Sequence, residues 1–119
     1  MNKENQICFK HDFIKEFMKS CLIVSDISDA EFMAVLLLRN DLNTNKIHFL
    51  KSSFKIIFFN KVKNYNNDIK IINCDCSIKR FNEELLNINN NIVIFNNIDK
   101  CDRLIFESIK DLNNCIYVC

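Results

Sequence analysis

Apolar residues gather in five short runs, Cys21–Ser25, Lys46–Leu50, Ile69–Asn73, Ile92–Asn96 and Cys115–Val118, and each gap between them is long enough to hold a helix. Antiparallel neighbours can be joined by two residues, whereas parallel strands need a crossover of a dozen or so, usually helical. The rhythm therefore predicts an α/β chain with a five-stranded parallel sheet. In open sheets of this kind ligands gather at the carboxyl ends of the strands. Residues 25–26, 73–75, 96–97 and 119 are the positions to interrogate.

Between the runs the period changes from strand-like to helical. Phe9, Phe13, Ile14 and Phe17 predict a short amphipathic helix over 9–19, ahead of the first strand. Ser28-x-x-Glu31 has the form of a capping box opening the next helix, with Phe32, Val35, Leu36 and Leu38 as its apolar positions. The segment from Ser53 to Tyr65 has strand propensity at Ile56–Phe59, but Phe54, Ile57, Phe58, Val62 and Tyr65 follow a helical stripe, and the reading is helix. Ser77 caps a further helix with the stripe Phe81, Leu85 and Ile88. Asp99 or Asp102 opens the last one, with Leu104, Ile105, Ile109 and Leu112 on its buried side. No linker or repeat divides the chain, and residues 1–20 read as a helical extension in front of one domain at 21–119.

Composition narrows the function. A length of 119 residues with 49% hydrophobic content supports a single core. The formal net charge is +1 from scattered charges, so no nucleic-acid or anionic-membrane partner is expected. The longest apolar stretches, Met33–Leu38 and Ile56–Phe59, fall far short of the roughly 20 residues that span a bilayer. Met1 to Lys10 lacks the pattern of a signal peptide, and a cytoplasmic location is the expectation. Seven cysteines, an odd number without an export signal, read as reduced thiols. Cys74-x-Cys76 is too tight for usual zinc spacing, and His11 and His48 have no partner at ligand intervals. Glycine and proline are both absent, so left-handed backbone positions fall to asparagine, with the pairs Asn66-Asn67, Asn96-Asn97 and Asn113-Asn114 as candidates. Glycine-rich phosphate loops of the Walker or dinucleotide type are thereby excluded.

The stretch Cys-Leu-Ile-Val-Ser-Asp-Ile-Ser-Asp at 21–29 resembles the opening of a bacterial response-regulator receiver domain, where an apolar strand ends in an acidic pair. Asp68-Ile-Lys-Ile-Ile-Asn73-Cys-Asp-Cys-Ser is similar to the receiver's third strand, Glu84-Leu-Leu to a helix that follows it, and Asn91–Asn97 to its fourth strand. Phe106 to Val118 resembles the helix and strand that close the pattern. The resemblance spans about residues 21 to 119. It implies a three-layer, flavodoxin-like fold with the last helix missing and an extra N-terminal helix, which is expected to cover the sheet face the final helix would have covered.

A receiver holds a divalent cation on its acidic pair, phosphorylates the strand-three aspartate, and contacts the phosphoryl group with a Ser or Thr after strand four and a Lys after strand five. The corresponding positions here are Ser25-Asp26, Asn73, Asn96 and Cys119. An amide is a poor nucleophile and carries no charge for a cation. The resemblance therefore implies a phosphorylation-independent pseudo-receiver without enzymatic activity or cofactor, save weak Mg2+ binding at Asp26. Its partner would be another protein or a second copy in a dimer. Each residue also has a plainer reading. Asp26 suits a helix start, Asp29 and Glu31 suit a first turn, and Asn73 and Asn96 suit strand ends.

Two alternatives stand beside it. In one, Asp75 is a displaced phosphoacceptor working with Asp26 and Asp29. In the other, Ile-Val-Ile-Phe-Asn-Asn-Ile-Asp at 92–99 resembles a degraded Walker B strand, as in an AAA+ ATPase domain that contacts an alternative sigma factor. Strand order separates these readings. A receiver places strand two at the edge beside strand one, whereas the ATPase core places strand four beside strand one.

Overall fold

A computed structural model describes residues 9, 11–65, 68–89 and 92–119. Asn66-Asn67 and residues 1–8 and 10 of the N-terminal extension lie outside them. Five parallel strands, β1 (Leu22–Val24), β2 (Lys46–Phe49), β3 (Ile69–Asn73), β4 (Ile92–Asn96) and β5 (Cys115–Val118), fall within the five apolar runs. Helix α1 (Asp12–Phe17) precedes β1, helices α2 (Ile27–Leu38), α3 (Ser52–Tyr65), α4 (Ile78–Leu86) and α5 (Arg103–Ile109) fill the four gaps, and the Ser53–Tyr65 segment is helical. Its buried face is Phe54, Phe58 and Val62, while Tyr65 is exposed.

The sheet has helices on both faces, the three-layer parallel architecture expected for its pattern. α2 and α3 cover one face through Ala34, Leu37, Phe58 and Val62, which pack with Ile47, Phe49, Ile94 and Val118. α1, α4 and α5 cover the other through Ile14, Phe81, Ile105 and Phe106, with Ile72, Phe95 and Tyr117. The Tyr117 hydroxyl, taken into the core, donates to the Ile109 carbonyl and so satisfies itself on α5.

The N-terminal helix is part of this core. Phe17 meets Tyr117 edge to face at 4.8 Å, Phe13 lies 5.0 Å from Phe106, and the Lys46 amine sits 4.1 Å above the Phe17 ring. Phe9, Phe13 and Phe17 are half-buried and Ile14 is fully buried. The helix thus covers the β2–β5 part of its face.

Strand order is β1-β2-β5-β4-β3. This is not the receiver's order, in which β1 would lie between β2 and β3. β1 instead forms one edge, and the chain crosses from β2 past β5 and β4 to the far edge before returning through β4 to β5. A 14-residue α3, about 21 Å long at 1.5 Å per residue, makes that long crossing.

Local signals explain the boundaries. Asp26, not Ser28, is the N-cap of α2. Its Oδ1 accepts from the Asp29 N–H at 2.7 Å, which leaves Ser28 inside the first turn. Ala30, Ala34 and Leu37 form the buried stripe of α2 and Phe32 is 55% exposed, because close contact with α3 selects small side chains. Ser77 caps α4 as expected, and Asp102 rather than Asp99 caps α5. Leu104 of α5 is exposed, Leu112 lies beyond the end of the helix and is exposed too, and Phe106 takes the core position. Left-handed backbone occurs at Asn40, Asn97 and Asn114 among the described residues. Asn40 closes α2 with a Schellman turn, in which Asp41 N–H reaches the Leu36 carbonyl at 2.8 Å.

Candidate functional site

The fold directs attention to the carboxyl edge of the sheet, above β5. There the crossover from β2 leaves toward the α2–α3 face and the connection from β4 leaves toward α5, a topological switch point where open sheets place ligands. Cys119 stands at its centre, its N–H donating to the Ile47 carbonyl at 3.0 Å and its carbonyl accepting from Phe49 at 2.9 Å.

Side chains from three elements lock together across this edge. Lys55, on the first turn and a half of α3, donates to Asn97 Oδ1 at 3.2 Å. Asn97 Nδ2 donates to Asn73 Oδ1 at 2.8 Å, and the same oxygen accepts the Asp75 N–H at 3.1 Å. Asn97 can turn inward because its backbone is left-handed, φ 61°, a conformation that asparagine tolerates without glycine. The row Lys55–Asn97–Asn73 ties α3, the end of β4 and the end of β3 into one unit.

At the same edge the Asp99 carboxylate acts on both His48 and Lys55. His48 Nδ1, Asp99 Oδ1 and Asn96 Oδ1 are buried with no hydrogen-bond partner among the described residues. Burial pushes the His48 imidazole below its ordinary 6.5, with the Asp99 carboxylate opposing and Lys55 reinforcing the shift. Burial likewise lowers the Lys55 ammonium, and Asp99 offsets part of that. The Cys119 thiol is driven up by burial and then by Asp99, Cys74 is driven up by burial, and Cys101 is raised by burial to about 11. All three remain protonated at neutral pH, which makes them poor nucleophiles and poor ligands.

The positions singled out in the sequence are spread across the sheet, with Cys119 in its middle. Asn73 and Asn96 are register partners on β3 and β4, and Asp75 follows in an exposed turn. Ser25 and Asp26 are exposed at the end of β1, four strand positions from β3, or roughly 19 Å at the usual spacing. The sheet therefore does not bring Asp26 to Asn73 or Asp75, and the Asp26 carboxylate is engaged in capping α2. Among the described residues no group of three His, Cys, Asp or Glu side chains is placed to hold a metal ion. Only Leu50 and Lys51 join β2 to α3, too short a turn to wrap a phosphate in the manner of a Walker loop.

Lys55, Asp99 and His48 were not evident as partners from sequence. Lys55 is embedded in an apolar helix stripe and His48 in a strand, and only the order of strands places them together. Asn97 carried a signal, as half of an Asn-Asn pair in a chain without glycine. No protein-family model, curated protein or solved structure matches this chain.

Proposed function

We propose that this chain is a non-enzymatic regulatory interaction module of the cytoplasm, built on a sheet closer to the ATPase core that contacts an alternative sigma factor than to a receiver. Strand order carries the reading. If β4, with its Walker B-like Ile92–Asp99 sequence, stands for strand three of that core, then β5 is strand four and β2 is strand one. These two are adjacent, paired Lys46 to Tyr117 and Ile47 to Val118. β1 is then an added edge strand beside strand one.

Three features support the absence of chemistry. The β2–α3 connection is two residues long, the strand ends hold Asn73 and Asn96 where a carboxylate would be needed, and Lys55 is occupied by Asn97. With neither nucleotide nor phosphoryl group to read, regulation would reside in protein contacts. The partner is a protein or a second copy of the chain, with no cofactor required.

Incubation with a small phosphodonor and magnesium, read by intact mass, tests this against a working phosphoacceptor. The expected spectrum shows the unmodified chain alone. A phosphoryl adduct that disappears in Asp75→Ala would overturn the proposal in favour of a receiver-type site.

A further inference from the structure

β3 is one of the two edge strands of the sheet, and no strand pairs its outer side among the described residues. Its pairing with β4 is bracketed by Ile92 N–H to the Asp68 carbonyl and Cys74 N–H to the Asn96 carbonyl. In a parallel ladder alternate residues face the same neighbour. Even-numbered residues of β3 therefore turn their backbone toward β4, and Ile69 and Ile71 turn theirs outward. Natural edges are commonly guarded by a free lysine. Here the one lysine of the strand, Lys70, is neutralised by Glu84 of α4 at 3.2 Å.

α4 flanks this edge, and Arg80 and Glu84 line a shallow cleft along β3. The charges of α4 are segregated, with Lys79 and Arg80 in its first turn and Glu83 and Glu84 toward its end. That is the reverse of what the dipole of an isolated helix favours. It is the arrangement that suits an identical helix lying antiparallel, where each basic half meets an acidic half.

We propose that β3 is the two-fold contact of a homodimer. The β3 edges of two copies pair antiparallel into one continuous sheet, and Arg80 of each copy faces Glu84 of the other across the axis. A two-fold contact must be self-complementary, and both the edge backbone and the charge pattern of α4 meet that requirement. The inference stands on this edge alone and holds whether the sheet is ATPase-like or receiver-like.

Sedimentation equilibrium of the full chain tests it. Wild type is expected to show concentration-dependent dimerisation. Arg80→Glu and Glu84→Arg should each weaken it by roughly tenfold or more, since each substitution turns both symmetry-related contacts repulsive. An equimolar mixture of the two variants should regain a dimer, because every contact across the axis is then Glu to Arg. Ile71→Pro removes an outward N–H that β4 does not use, and should give a folded monomer by circular dichroism. A wild type that stays monomeric throughout, or a dimer indifferent to Arg80→Glu, Glu84→Arg and their mixture, would overturn the proposal.

Discussion

Ile14→Asp is expected to destabilise the chain by at least about 4 kcal/mol, since it places an unpaired carboxylate in a fully buried apolar site. Ile14 packs in the cluster with Phe106, Ile109 and Tyr117, so the charge has no route to water without detaching α1. Small domains have roughly 5–15 kcal/mol in total, and most of the chain's margin would be lost. Lys15→Ala, one residue along and exposed, should change stability by no more than about 0.5 kcal/mol. Urea unfolding of the pair tests whether residues 12–17 are integral to the core or an appendage. Equal midpoints for the two variants would make α1 an appendage.

Phe58→Ala is expected to cost about 3–5 kcal/mol, the range for truncating a buried phenylalanine where the site cannot collapse. Phe58 is fully buried on α3, with Phe49 5.2 Å away and Phe59 5.6 Å away. It anchors the helix that makes the long crossing from β2 to β3. The same denaturation experiment on Ile56→Ala, an exposed residue two positions earlier, should show a loss below about 1 kcal/mol. A larger loss at Ile56 than at Phe58 would contradict the orientation of α3.

Strand positions were legible because β-branched and aromatic runs bounded by polar residues have few other readings, and Ile69–Asn73, Ile92–Asn96 and Cys115–Val118 agree to the residue. Helix α3 was legible from its stripe, and α4 from Phe81 and Leu85, although Ile88 lies beyond its end at Leu86. Strand order was not. Any parallel order satisfies the same alternation of runs and gaps, and what distinguishes this one is that α3 spans β5 and β4 on the face opposite α4 and α5. The stripe of α2 misled because helices that approach closely bury alanine, here Ala30 and Ala34, and leave larger residues such as Phe32 outside.

The same limit governed the site. Asn73 and Asn96 end the apolar runs that became β3 and β4, and their pairing across those strands is visible only in the structure. Asp26 was grouped with them only by resemblance, and the order of strands puts it at the opposite edge. The Lys55–Asn97 contact joins residues 42 apart in sequence and depends on a left-handed asparagine after β4, so no local pattern announces it.

The carboxyl edge of this sheet is closed on itself by Lys55, Asn97 and Asn73 instead of being open to a nucleotide, and equilibrium titration with a fluorescent analogue of ATP in the presence of magnesium puts that to the test. No saturable binding is expected. Saturable binding that is displaced by ATP and lost in Lys55→Ala would contradict it.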